Sequence, residues 1–148
     1  MKTIKLENKA IVPVFSFLQE VSLKGKASRG RTQFSKRLEE KNKEFNEALK
    51  EIRKEYFKVD GDGELIVENG EFITKDKTKN KELDERIQEL DEELVEIHFG
   101  EYSTKYDAMF TALDTIEEEL SGQRAYGYNE LMDAYEVNEE NTNTQEEK

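Results

Sequence analysis

The segment from residue 29 to residue 58 constrains the fold most, because its pattern is typical of one long helix. It contains no proline, and its large apolar side chains recur at helical spacing among charged residues. They are Phe34, Leu38, Phe45, Leu49, Ile52 and Tyr56. With Phe45 at a d position of a heptad, Asn42 and Leu49 fall at a positions, as in a coiled coil. Ser28 is the predicted N-cap of this helix.

Shorter elements are predicted around the long helix. Asn69-Gly70 lies between two apolar runs and predicts a β-hairpin, because both central positions of its turn need positive φ. The other predicted elements are a strand within residues 1–11, a helix from Pro13 to about residue 24, a helix from Lys81 to about residue 94, a strand through Val95, Ile97 and Phe99, a helix from Ser103 or Thr104 to Leu120, and a helix over Tyr128–Glu136. The expected fold class is mainly α with a small antiparallel β part.

The supply of core-forming residues is small. Leucine, isoleucine, valine and phenylalanine account for 35 of 148 residues, and 39% of the chain is charged. That content lies just above the level at which a charged chain is expected to remain disordered. We expect a single α+β domain over residues 1–137, in which residues 58–80 form a hairpin insertion between helices. Residues 138–148 hold no apolar side chain and predict a disordered acidic tail.

The side chains give little support to catalysis or metal binding. The chain has no cysteine and a single histidine, His98, which excludes thiolate sites and multi-histidine zinc sites. Asp60–Glu64 resembles the start of an EF-hand loop, but Leu65 stands where the required glycine should be. No apolar run reaches the roughly 18 residues of a membrane-spanning helix. We therefore expect a protein that is not an enzyme, binds no cofactor or metal and does not enter a membrane.

Charge is distributed unevenly along the chain. The first 58 residues contain 15 lysines and arginines against 8 acidic residues, whereas the remaining 90 contain 8 against 27. Six cations follow one another without an intervening acid: Lys24, Lys26, Arg29, Arg31, Lys36 and Arg37. These are the candidate partner-binding residues, because cations in the first turn of a helix oppose its dipole and gain from a nearby anion. The favoured anion is the protein's own acidic half, and an external anionic partner is the alternative.

Several short segments together resemble a known family. They are Lys5–Lys9, Pro13 with Phe17 and Leu18, Leu23–Thr32, Lys54–Tyr56 with Asp60 and Gly61, and Tyr128–Glu136. In their order and spacing, over residues 1–137, they resemble a small uncharacterised family of tailed phages and prophages of Gram-positive bacteria, classed as a domain of unknown function. The resemblance implies a gene near the tail-fibre, baseplate and holin genes. It assigns no catalytic residue.

Three functions follow from these observations. The favoured one is a non-enzymatic phage accessory protein that acts by protein–protein contact in tail or baseplate assembly or another late module. It would reside in the host cytoplasm or the virion, and its long helix would allow a homodimer. The first alternative is an inhibitor whose acidic half imitates nucleic-acid phosphate in a host defence or nucleic-acid enzyme. The second is nucleic-acid binding through residues 24–37, which is disfavoured because no aromatic platform for bases is interleaved there.

Overall fold

The computed structural model describes the backbone of residues 2–146 and the side chains of residues 2–137. The helices are α1 (Ile11–Glu20), α2 (Gly25–Tyr56), α3 (Asn80–Glu92), α4 (Ser103–Leu113) and α5 (Gly122–Glu146). The strands are β1 (Thr3–Glu7), β2 (Val67–Glu68), β3 (Glu71–Phe72) and β4 (Leu94–His98). β1 pairs with β4 and β2 with β3, both antiparallel. The described chain is therefore mainly α with a small antiparallel β part, and the predicted fold class is confirmed.

The chain divides into two compact units. The first contains residues 1–42 and 94–148, and the second contains residues 43–93. The boundary falls within α2, so this helix contributes to both units. The domain predicted from the sequence covers residues 1–137, and the predicted insertion at 58–80 lies inside the second unit.

The first unit contains most of the buried apolar side chains. In β1, Ile4 and Leu6 are buried while Lys5 is exposed, which is the alternation expected of a strand that covers a core. α1 is apolar around much of its circumference and packs against α5. The largest fully buried side chains of the unit are Tyr106, Phe17, Phe34, Phe99 and Phe110. Burial of these large rings contributes strongly to the stability of a chain with so few apolar residues.

An aromatic cluster joins four elements of the first unit. The Phe34 ring on α2 meets Tyr106 and Phe110 of α4 edge-on, with centroids 5.3 and 5.9 Å away. Phe99, directly after β4, lies 5.1 Å from Tyr106. The Phe110 ring stacks on Tyr135 of α5 at 4.2 Å. Offset-stacked and edge-to-face rings attract one another beyond their area of burial, so this cluster fixes how the four elements meet.

Two glycines allow helices of the first unit to cross at close range. A Cβ atom on Gly30 of α2 would lie 2.2 Å from the carbonyl oxygen of Lys105 in α4. A Cβ atom on Gly127 of α5 would lie 2.3 Å from the carbonyl oxygen of Pro13 in α1. Both distances are far below van der Waals contact, so only glycine fits at these two crossings.

The strand at Leu94–His98 pairs with the N-terminal strand. Thr3 lies opposite His98 and Lys5 opposite Glu96. His98 is exposed, and its Nδ1 atom forms a 2.9 Å hydrogen bond with the hydroxyl of Thr3. β1 ends at Glu7, where residues 8–10 form a 3-10 turn that leads directly into α1.

Several predicted helix boundaries in the first unit differ from the structure: α1 runs from Ile11 to Glu20 instead of from Pro13 to about residue 24, and larger errors concern α4 and α5. α4 ends at Leu113 instead of Leu120, and the hydroxyl of Tyr128 donates a 2.8 Å hydrogen bond to the Leu113 carbonyl. Ile116 and Leu120 still pack against the core, but from irregular chain. α5 begins at Gly122, which has a φ of +56°, six residues before the predicted start.

The C-terminal segment differs from its prediction over part of its length. The backbone of residues 138–146 continues α5, where the sequence analysis predicted a disordered acidic tail over 138–148. Residues 147 and 148 lie outside the described residues, as do the side chains from residue 138 onwards.

The second unit combines the C-terminal part of α2, the β2–β3 hairpin and α3. Asn69 and Gly70 have φ values of 53° and 80°, which confirms the predicted hairpin turn. The hydroxyl of Tyr56 donates a 2.6 Å hydrogen bond to Glu82 of α3. The Arg86 guanidinium lies over the Tyr56 ring, 5.6 Å from its centroid, and pairs with the carboxylate of Glu55. These polar contacts therefore connect α2 to α3.

The heptad stripe of α2 is only partly covered. Leu38 in the first unit and Tyr56 in the second are buried, whereas Phe45, Leu49 and Ile52 between them are half-buried. A coiled coil or a homodimer through this stripe remains a prediction.

Candidate functional site

The basic segment lies where the chain enters α2. Gly25 has a φ of +51°, a value that glycine adopts without strain, and α2 starts there. Ser28 therefore lies inside the helix, and its prediction as the N-cap is wrong. Its carbonyl accepts a 3.2 Å hydrogen bond from the hydroxyl of Thr32. The earlier start places Lys26, Arg29 and Arg31 on the first two turns of α2.

Arg31 binds the C-terminal end of the preceding helix, α1. Its guanidinium donates to the carbonyl of Val21, the residue that follows α1, and lies 3.5 Å from the carbonyl of Leu18. It also donates a 3.1 Å hydrogen bond to the hydroxyl of Ser28. A cation at a helix C-terminus satisfies exposed carbonyls and interacts favourably with the helix dipole. Arg31 is therefore a structural residue that holds α1 against α2.

We expect an Arg31→Ala variant to lose about 1–2 kcal/mol of unfolding free energy, because the last carbonyls of α1 lose a charged donor. Urea denaturation followed by circular dichroism measures this loss. Arg29→Ala is the matched control, since Arg29 is exposed on the same helix and should change stability by less than about 0.5 kcal/mol. Equal stability of the two variants would contradict the capping role.

Arg37 is paired within its own helix. Its guanidinium donates to both carboxylate oxygens of Glu40, at 3.1 and 3.0 Å. The hydrogen-bonded carboxylate raises the pKa of the Arg37 guanidinium above its ordinary value. Beneath it lies the buried Tyr106, whose hydroxyl pKa is raised by burial. Arg37 thus also has an intramolecular partner.

The four remaining cations form what we call the basic face: Lys24, Lys26, Arg29 and Lys36. All four side chains are exposed. Lys26, Arg29 and Lys36 lie on one side of α2, opposite the buried Phe34 and Leu38. Within the described side chains, 2–137, no ion pair reaches any of the four.

Among the described side chains, no acid of residues 59–137 forms an ion pair with this face, and the expected internal salt bridges stay a prediction. The acids that form ion pairs in the first unit use other cations. Asp107 pairs with Lys2 at 3.0 Å, and Glu96 lies 3.8 Å from Lys5. Arg124 on α5 bridges Glu20 and Glu118, each at 2.9 Å. The four cations thus lie between residues 24 and 36, just before and along the first turns of α2, with their side chains exposed to solvent.

A groove lies elsewhere on the first unit, between β4 and α2. It has a volume of about 360 Å³ and is lined by the continuous stretch 96–102. Its other wall consists of Arg37, Glu40 and Lys41 of α2. Sequence reasoning missed this groove, because nothing in the local pattern shows that β4 runs beside α2.

The calcium-like stretch serves as a turn. The carboxylate of Asp60 accepts hydrogen bonds from the backbone N–H groups of Asp62 and Glu64, at 2.8 and 3.1 Å. The Glu64 carboxylate pairs with Lys50 at 2.9 Å. In the part of the chain that the structure describes, histidine and acidic side chains form no group of three suited to a metal ion. No described helix is long and apolar enough to span a membrane.

Comparison with known proteins places the chain in a family. The family model described as "Protein of unknown function (DUF1617)" matches residues 2–142. The chain belongs to this family. The DUF1617 match spans both compact units and extends past the 1–137 region of the sequence resemblance. None of the curated proteins and none of the solved structures matches the chain.

Proposed function

We propose that this DUF1617 protein is a non-enzymatic accessory protein of a tailed phage or prophage and acts by protein–protein contact. It works in tail or baseplate assembly or another late module, in the host cytoplasm or on the virion. Its basic face, formed by Lys24, Lys26, Arg29 and Lys36, docks on an acidic surface of the partner protein.

The observation that supports this proposal is the unpaired charge at the start of α2. Lys26 and Arg29 lie in the first turns, where the helix dipole disfavours cations by a few tenths of a kcal/mol each. Arg31 and Arg37 have partners within the chain, whereas the basic face has none among the described residues. An anionic partner offsets the unfavourable term and steers association through long-range attraction.

The first experiment tests whether the protein takes part in virion assembly. Purified virions of the phage that carries the gene are analysed by mass spectrometry, and particles of a deletion mutant are examined by electron microscopy. We expect the protein in the virion or a defect in tail or baseplate morphology. Absence from virions together with normal particles would end the assembly role.

The second experiment tests the basic face. A Lys26→Glu/Arg29→Glu variant, supplied in trans to the deletion mutant, should lower incorporation or complementation at least tenfold, because it reverses charge where the acidic partner docks. The matched control is Lys77→Glu/Lys79→Glu, which makes the same charge change at exposed positions of the second unit. Equal loss in both variants would show that net charge matters and the basic face does not.

The same variant also tests nucleic acid as the partner of the basic face. A gel shift of the unaltered chain at low salt, lost on Lys26→Glu/Arg29→Glu, would replace an acidic protein by nucleic acid as the partner of this face. We expect no shift, since a net charge of −12 repels nucleic acid.

A further inference from the structure

Strand β4 has one edge that β1 does not use. The N–H of Phe99 donates a 3.0 Å hydrogen bond to the carbonyl of Lys2, which fixes the alternation of the antiparallel pair. By that alternation Ile97 faces Ile4 in a hydrogen-bonded pair, whereas Glu96 and His98 occupy the non-hydrogen-bonded positions between. The backbone N–H and carbonyl groups of Glu96 and His98 therefore point away from β1.

The groove beside α2 runs along this edge. It is lined by consecutive residues from Glu96 to Tyr102, including the buried Ile97 and the exposed His98. Of these residues, Glu96, Ile97 and His98 belong to β4, and Gly100–Tyr102 forms the 3-10 turn that follows. Successive side chains of a strand point to opposite faces, so a groove lined by all three strand residues follows the edge of β4 there and not one face. The second wall is formed by positions 37, 40 and 41, which share one side of α2. A strand edge facing a helix across a groove of about 360 Å³ is a geometry that accommodates an added peptide strand.

We propose that this groove binds an extended peptide segment of a partner protein, in which lysine or arginine alternates with apolar residues. The peptide adds to β4 as a third strand through the backbone groups of Glu96 and His98. This site is separate from the basic face, and the inference does not depend on the proposed function.

The side chains that flank the edge determine the peptide's chemistry. Glu96 and His98 form the solvent-facing row of β4, and Ile97 with Phe99 forms the buried row. β1 shows which side chains pair with the solvent-facing row of β4. Its Lys5 lies opposite Glu96, with the Nζ atom 3.8 Å from the carboxylate. A peptide on the other edge meets the same alternation, so its cations lie beside Glu96 and its apolar side chains face the groove.

Fluorescence anisotropy on the full chain tests the proposal with labelled peptides. The probe is Lys-Val-Lys-Val-Lys, and its matched controls are the rearranged Lys-Lys-Lys-Val-Val, the acidic Glu-Val-Glu-Val-Glu, and the probe with alternate backbone N–H groups methylated. We expect the probe to bind at least tenfold more tightly than each control. Equal binding of the probe and the rearranged peptide would overturn the proposal, as would preference for the acidic peptide or absence of binding at millimolar concentration.

A variant pair locates the peptide on the protein. Glu96→Lys should weaken binding of the probe about tenfold, whereas Glu89→Lys, the same charge change at an exposed position of α3, should leave it unchanged. Backbone amide shifts in NMR provide a readout that survives any loss of stability in Glu96→Lys, since they use the unaltered chain. The amides of Glu96 and His98 should move on titration with the probe. Shifts confined to α3, or to the basic face, would overturn the assignment to β4.

Discussion

A Gly127→Ala variant should be destabilised by about 3 kcal/mol, although alanine is the better helix former by about 0.8–1 kcal/mol. The added methyl would lie 2.3 Å from the carbonyl oxygen of Pro13 and 3.1 Å from the backbone nitrogen of Val14. Both are backbone atoms of α1, so no side-chain rotation can relieve the overlap. α5 must therefore move away from α1, which weakens the contacts that hold these two helices together.

Urea denaturation followed by circular dichroism measures the effect. The control is Gln123→Ala, an exposed position of the same helix, which should be neutral or slightly stabilising. A Gly127→Ser variant should behave like alanine, because its Cβ atom meets the same carbonyl. If Gly127→Ala were as stable as the unaltered protein, the close crossing of α1 and α5 would be wrong.

Elements with a strong local pattern could be predicted from the sequence. Asn69-Gly70 defined its hairpin because the turn requires two residues with positive φ, and the structure gives 53° and 80°. The apolar spacing of α2 and α3 likewise predicted helices to within a few residues. Each of these signals is contained in a few neighbouring residues, so no tertiary contact was needed to interpret it.

Boundaries set by tertiary contacts could not be predicted. Leu113 ends α4 while its carbonyl accepts a hydrogen bond from Tyr128, 15 residues further along the chain. Apolar side chains at 116 and 120 continue the helical spacing, yet they reach the core from irregular chain. The spacing alone therefore predicted a helix too long by seven residues.

The candidate site shows the same limit. The cations of residues 24–37 were evident from the sequence, but their division into two roles was not. Arg31 reaches the carbonyls that end α1, and Arg37 folds back on Glu40. These commitments depend on the angle between α1 and α2 and on side-chain rotamers, which charge spacing does not encode. The long helix was predicted to begin at residue 29, so its true start at Gly25 also moved Lys26 onto the helix.

Phe110→Ala should be the most destabilising single substitution considered for this chain, with a loss of about 3–5 kcal/mol. Phe110 is fully buried on α4, and its ring contacts Phe34 of α2 and Tyr135 of α5. Removal of the ring leaves a cavity at the point where these helices meet. Total stability of domains is about 5–15 kcal/mol, and a core with few apolar residues belongs near the lower end. The variant should therefore be largely unfolded at 37 °C, as judged by thermal melts.

Two conservative variants, one at Phe110 and one at its stacking partner Tyr135, test whether the loss of stability comes from removal of the buried ring. Phe110→Leu retains much of the apolar volume and should lose only about 1–1.5 kcal/mol. Tyr135→Phe keeps the ring that stacks at 4.2 Å on Phe110 and should stay within about 1 kcal/mol of the unaltered protein.

Phe72→Ala is the control in the second unit, since that ring is half-buried and contacts Phe57 at 5.3 Å. It should cost less than Phe110→Ala, because a partly exposed ring leaves a site that water can fill. A larger loss for Phe72→Ala would place the stability of the chain in the second unit and not in the aromatic cluster of the first.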